Sequence, residues 1–162
     1  MMKKRLLTFY VFLVLVISIF PFLMGCNDSD CTTSNTAYVH YGIYDQNGQM
    51  AVFKTPVTVK AAGTDSVLIN QESDLKFMQL PLSYTHVEDT FVVSLSETLF
   101  DTIFVAHENI PHFISMDCGT GMYHRLLEVR CVNRIFDSIK IVYPDITYDA
   151  KEHIKIYCTV VD

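Results

Sequence analysis

From Thr36 onward, apolar and polar side chains alternate with a period of two, and turn-forming residues interrupt the alternation every eight to twelve positions. Successive side chains of a strand point to opposite faces, so this period predicts strands with one apolar face each. No apolar stripe of helical spacing runs longer than two turns. Ala37, Val39, Tyr41 and Ile43 alternate with Tyr38, His40, Gly42 and Tyr44, and Asp45-Gln46-Asn47-Gly48 then supplies a hairpin loop of the Asn-Gly kind. Val57, Val59 and Ala61 alternate with Thr58 and Lys60 before Gly63-Thr64-Asp65 turns the chain into a strand over 66–70. Further strands are expected over 76–82, over 90–96 with Phe91, Val93 and Leu95 on one side, and over 102–107 with Ile103 and Val105 on one side. Asn109-Ile110-Pro111 is expected to separate that strand from another over 113–118, where Ile114, Met116 and Cys118 share a face. After the Gly119-Thr120-Gly121 turn, Leu127, Val129 and Cys131 share a face. Ile139, Ile141 and Tyr143 line the next strand, 144–151 reads as a loop, and the last strand sets Ile154, Ile156, Cys158 and Val160 opposite His153, Lys155, Tyr157 and Thr159.

Nine or ten short strands, each apolar on one face, bury that face only against a second sheet or by closing on themselves. The expected fold is all-β, an antiparallel two-sheet sandwich of the immunoglobulin-like kind, with a small β-barrel as second choice. No internal repeat divides the chain, so one domain is expected over 36–162.

The first 25 residues follow a different pattern. Lys3, Lys4 and Arg5 precede an apolar stretch over 6–22, broken by Thr8, Ser18 and Pro21. This is the cationic and apolar order of a secretory signal, at the short limit for a membrane-spanning helix. It closes with Leu23-Met24-Gly25-Cys26, which resembles the lipobox of bacterial lipoproteins, with Met24 where Ala or Ser is more usual. The resemblance implies cleavage between Gly25 and Cys26, a diacylglycerol on the Cys26 sulfur, and a further acyl chain such as palmitate on the new amine. An uncleaved N-terminal anchor is the rival reading. Asn27-Asp28-Ser29-Asp30 then reads as an acidic tether, so the expected organisation is a signal over 1–25, a tether over 26–35 and the β domain beyond.

Removing the signal changes the composition. The whole chain of 162 residues has 12 basic and 18 acidic side chains, a formal charge of −6. From Cys26 onward nine basic residues remain against eighteen acidic ones, a charge of −9. Without a basic stripe to neutralise phosphates, nucleic acid is not an expected partner.

Five cysteines become four once Cys26 is set aside for lipid: Cys31, Cys118, Cys131 and Cys158. In an oxidising compartment an even set reads as disulfides, and four cysteines allow three pairings. Cys118, Cys131 and Cys158 fall on apolar strand faces. The expectation is Cys31 with Cys118, clamping the tether to the domain, and Cys131 with Cys158, locking the terminal strand. A zinc site from Cys118, His124, Cys131 and Cys158 lacks the close ligand pairs of a zinc knuckle.

The sequence is sparse in catalytic motifs. In His107-Glu108-Asn109-Ile110-Pro111-His112 the histidines are five apart across a proline, not four apart on a helix as a zinc protease requires. Gly119-Thr120-Gly121 lacks the lysine of a phosphate loop. Asp145, Asp149 and Glu152 share a loop without the spacing or glycine of a calcium-binding loop. His40 and His153 fall on outward strand faces, and His86, His107 and His112 near turns. Neither a cofactor nor a metal is expected. Tyr38, Tyr44 and Tyr157, on outward faces, form a possible sugar-stacking or protein-binding surface.

Several segments together resemble a family of small lipoproteins of Bacteroidetes: Leu23 to Cys26, Asp30-Cys31, Tyr44-Asp45 with its glycine turn, Ser115-Met116-Asp117-Cys118-Gly119, Asp137-Ser138-Ile139, and His153-Ile154-Lys155-Ile156-Tyr157. Cys131 and Cys158 look like a local addition to that pattern. The resemblance implies an envelope location and carries no mechanism. The expected protein is an outer-membrane lipoprotein facing the periplasm or cell surface, a non-enzymatic binding or structural module whose partners are the membrane, through its lipid, and a protein or glycan. A carbohydrate- or peptide-binding lipoprotein, a subunit of a surface assembly and an envelope hydrolase are the alternatives.

Overall fold

The computed structural model describes residues 36–116 and 118–159. Ten strands follow one another: β1 (Tyr38–Tyr44), β2 (Val57–Ala61), β3 (Val67–Glu72), β4 (Phe77–Pro81), β5 (Glu88–Ser94), β6 (Phe100–Ser115), β7 (Gly119–Cys131), β8 (Phe136–Ile141), β9 (Asp145–Ile146) and β10 (Ile154–Cys158). They form a four-stranded sheet in the order β4-β1-β10-β8 and a six-stranded sheet in the order β3-β2-β5-β6-β7-β9. The fold is therefore all-β, with two sheets packed together. Among the described residues no helix is long and apolar enough to cross a membrane.

The alternation places the core as expected. Val39, Tyr41 and Ile43 of β1 and Ile154, Ile156 and Cys158 of β10 are fully buried. They meet Val57, Val59, Phe91, Val93, Ile103 and Val105 of the other sheet in one apolar cluster. Burying a side chain of this size contributes about 1.5–3 kcal/mol, which is the main force holding the sheets together. Every pairing between these strands is antiparallel except that of β1 with β10, which is parallel. These strands come from opposite ends of the domain, so no hairpin fixes their direction. In the loop after β1, Asp45 Oδ1 accepts the N–H groups of Asn47 (2.9 Å) and Gln49 (2.7 Å). Gly48 there takes φ 76°, which costs glycine little.

Two expectations fail along β6 and β7. The chain does not break at Pro111. Instead β6 runs sixteen residues through it, and Pro111 lies opposite Met122. β5 pairs with β6 only over Phe100 to Ala106, so the distal half of β6 has an unpaired edge where a missing N–H is tolerated. Second, the register with β7 shifts between Ala106 and His107, which face Glu128 and Leu126. Leu127 is the extra residue of this bulge. The bulge reverses the parity of β7, so Leu126 enters the core and Leu127, expected inside, is 62 % exposed.

Candidate functional site

Period two sends Asp101, Ile103, Val105 and His107 of β6 to the same inner face, so two polar side chains enter the core beside two apolar ones. The described residues bury four polar or charged side chains in all: Asp101, His107, His124 and His153.

Asp101 is a structural carboxylate. Its Oδ1 accepts N–H groups from Thr102 (2.7 Å) and Val132 (3.1 Å), and its Oδ2 accepts those of Arg134 (2.8 Å), Ile135 (2.9 Å) and Phe136 (3.0 Å). Burial alone would raise its pKa, but the N–H groups of Ile135, Phe136, Thr102 and Arg134 outweigh burial and hold the carboxyl below its usual range. The group organises the β7-to-β8 turn, where Asn133 takes φ 64°.

Further along β6, Asp89 of β5, His107, His124 of β7 and Asn109 form a second cluster. His107 Nε2 donates to Asp89 Oδ2 at 3.0 Å, and that oxygen also accepts the Ser83 N–H at 2.7 Å. Asn109 Nδ2 donates to the His86 carbonyl at 2.8 Å. That leaves its Oδ1 to accept from His124 Nδ1, also at 2.8 Å. The rings of His107 and His124 meet edge to face with centroids 5.2 Å apart. Burial, then the neighbouring His107, push the pKa of His124 down to about 4 against a smaller upward pull from Asp89. Burial acts to raise Asp89, but the bonds from His107 and Ser83 prevail and hold it below the carboxylate range.

An Asp–His pair is the start of a catalytic relay, yet this one lacks the rest. His107 Nδ1 and His124 Nε2 are buried without a hydrogen-bond partner, as is Tyr41 Oη on the facing sheet. The His107 ring is fully buried, so no substrate reaches its free nitrogen. Among the described residues no three His, Cys, Asp or Glu side chains converge to hold a metal. Asp145, Asp149 and Glu152 are divided among Arg125 (3.6 Å), Lys151 (2.7 Å) and Lys155 (3.7 Å). Sequence parity, extended from Ile103 and Val105, gives Asp101 and His107 their inward direction. Reading 107–112 as a turn hid His107.

The tyrosines expected to share a surface are split. Tyr44 and Tyr157 are paired across β1 and β10, with ring centroids 5.9 Å apart. Tyr38 is at the other end of β1, six residues away, about 20 Å along the strand. Tyr44 Oη donates to the Glu152 carboxylate, with its two oxygens at 2.9 and 3.1 Å, and Lys155 Nζ is 4.3 Å from the centre of its ring. A Cβ on Gly42 would collide with the Glu152 carboxylate, so glycine lets the loop before β10 lie on the sheet. The same loop brings Asp149 Oδ1 to 3.9 Å from His153 Nε2. His153, expected on an outward face, is fully buried, and its Nδ1 accepts the His40 N–H at 3.1 Å.

The cysteines also depart from expectation. Among the described residues no two cysteines are bridged to each other. Cys131 and Cys158 are free thiols, which corrects their expected pairing. Parity directs each inward without saying on which sheet. Cys131 ends β7 opposite Ile103, and Cys158 ends β10 opposite Phe136, in the other sheet. The Cys131 thiol donates to Asn133 Oδ1 at 2.7 Å, and that of Cys158 to the Tyr44 carbonyl at 3.7 Å. Burial pushes Cys158 up to about 11. Cys118 is disulfide-bonded. Gly25, Cys26 and Cys31 lie outside the described residues.

The surface carries two features that the sequence pattern does not signal. A groove of about 510 Å³ is lined by Pro56, Thr58, Lys60, Gln71, Leu95 and Glu97, among others. The distal β6–β7 hairpin exposes Ile110 (39 %), Phe113 (60 %) and Met116 (90 %).

The chain belongs to a family of unknown function, DUF6452, whose model matches residues 56–158. No curated protein and no solved structure matches it.

Proposed function

We propose that this member of DUF6452 is a lipid-anchored lipoprotein of the outer membrane or cell surface, and that its β domain acts as a binding or structural module. The observation that carries the reading is the N-terminal order: a cationic start, an apolar run and Leu23-Met24-Gly25-Cys26. Cleavage before Cys26 would leave ten residues, 26–35, between the lipid and Thr36, where the described domain begins. Durable attachment follows from several acyl chains, since each buried methylene contributes about 0.8 kcal/mol.

A module role, in place of an enzymatic one, is supported by the burial of His107 and His124, which keeps the Asp–His pair from substrate. Glycan binding through a tyrosine platform is the weaker reading, because Tyr38 stands apart from Tyr44 and Tyr157 and Tyr44 is engaged by Glu152. The test is fractionation of the full-length protein and its Cys26→Ala variant. The wild type is expected in the membrane fraction, resistant to salt, and the variant released or retained as an uncleaved precursor. A processed variant that stays as tightly bound as wild type would defeat the reading.

A further inference from the structure

We infer that the tip of the β6–β7 hairpin rests in the membrane interface, an inference that builds on the lipoprotein reading and adds the surface by which the domain meets lipid. Three observations converge on this hairpin. Its exposed apolar side chains stand on both faces of a two-stranded ribbon. Ile110 is opposite Tyr123 on one face, Phe113 is opposite Thr120 on the other, and Met116 stands at the turn. A flat protein surface covers one face of a ribbon, whereas a fluid interface surrounds the tip and covers both. The ribbon is also poor in charge: between Glu108 and Arg125 the sequence holds one ionised side chain, Asp117. A single carboxylate suits headgroup depth, where it keeps its water, and disfavours deeper insertion.

The third observation fixes which end of the domain is near the anchor. Cys131 and Cys158 are free and Cys118 is bridged, and the pairing proposed for it is the one expected from the sequence, with Cys31. A lipidated Cys26 has no thiol to oxidise, so it does not compete for that bridge. Formation of this disulfide removes two thiol protons and two electrons, supplied to the thiol oxidants of an oxidising envelope compartment. Four residues, 27–30, then separate the acylated residue from the bridge, five steps of chain that reach at most about 18 Å. The bridge itself adds about 6 Å, so Cys118, beside the apolar tip, is held within about 24 Å of the acylated residue.

The chain contains no tryptophan, so a single introduced one is a clean reporter. The full-length protein carrying Phe113→Trp, Met116→Trp or, as a control on the far edge of the same sheet, Val67→Trp is purified from membranes. Each is then reconstituted into phosphatidylethanolamine–phosphatidylglycerol vesicles with or without brominated acyl chains. The expected result is blue-shifted emission, lost to the brominated lipid, for the Phe113 and Met116 variants and water-like, unquenched emission for the Val67 variant. Water-like emission from all three, or equal quenching of all three, overturns the inference. A blue shift at Phe113 and Met116 without lipid quenching also overturns it, in favour of a protein partner or a second copy. Mass analysis of the N-terminal peptide from the same samples reads the lipid separately. A lipidated protein with an unquenched tip defeats this inference alone, and an unlipidated protein with a quenched tip defeats the lipoprotein reading alone.

Discussion

Between Phe100 and Ala106, β6 lies between β5 and β7, and its polar inner residue, Asp101, is satisfied by five backbone N–H groups. Beyond Glu108 the same strand pairs with β7 alone, and Phe113, on the face that points into the core further back, is 60 % exposed. His107 stands at the boundary, its ring buried and one nitrogen without a partner. The alternation is the same throughout, so the difference comes from what covers it. In the proximal half, conspicuous chemistry is spent on holding the fold. In the distal half, apolar side chains stand in solvent, and a surface of that kind is where a partner is to be sought.

The largest expected effect tests the proximal half. Asp101→Ala leaves five N–H groups around a cavity and should cost at least about 3 kcal/mol of unfolding free energy in urea titrations. Asp101→Asn should cost less, since one acceptor remains. A loss under about 1 kcal/mol for the alanine variant would mean that the β7-to-β8 turn holds itself.

The boundary should be sensitive to acid. The folded pKa of His124, about 4, lies below its ordinary 6.5, so the unfolded chain takes up the proton first. Its effect on stability is therefore absent above about pH 6.5 and grows as pH falls toward 4, reaching at most about 3 kcal/mol. Asp89 and Asp101, held below their ordinary range, add losses of the same sign at lower pH. Urea midpoints followed from pH 7 to pH 4 should fall, and His124→Gln should flatten that fall. An identical slope in the variant would assign the acid sensitivity elsewhere.

Smaller effects are expected on the four-stranded sheet and least at the tip. Gly42→Ala places a Cβ against the flexible end of Glu152, so the carboxylate should move, the Tyr44 bond should be lost, and stability should drop by about 1 kcal/mol. Phe113→Ser, with most of its ring in water, should change stability by no more than about 0.5 kcal/mol. A Phe113→Ser loss as large as that of Asp101→Ala would erase the contrast between the two halves of β6.

The strands whose alternation is unbroken were legible: β1 and β10 bury the residues their parity assigns. The rest depended on events that parity cannot carry. Pro111 reads as a break but is accepted on an unpaired edge, and one extra residue at Leu127 reverses the faces of β7. His153 was placed outside by a correct parity and then covered by a loop that the sequence presents only as polar. Cys131 and Cys158 both point inward, on different sheets. The candidate cluster of Asp89, His107, His124 and Asn109 spans three strands, so only the assembled sheet brings it together.

The central claim, that this β domain is held to the membrane by lipid on Cys26, is tested most directly by mass spectrometry of the protein extracted from membranes and digested without reduction. The account predicts a first peptide that begins at Cys26 with diacylglycerol and acyl mass, and a Cys31–Cys118 cross-link beside free Cys131 and Cys158. A peptide reading through Gly25 into an unmodified Cys26, or a Cys26–Cys118 cross-link, would contradict it.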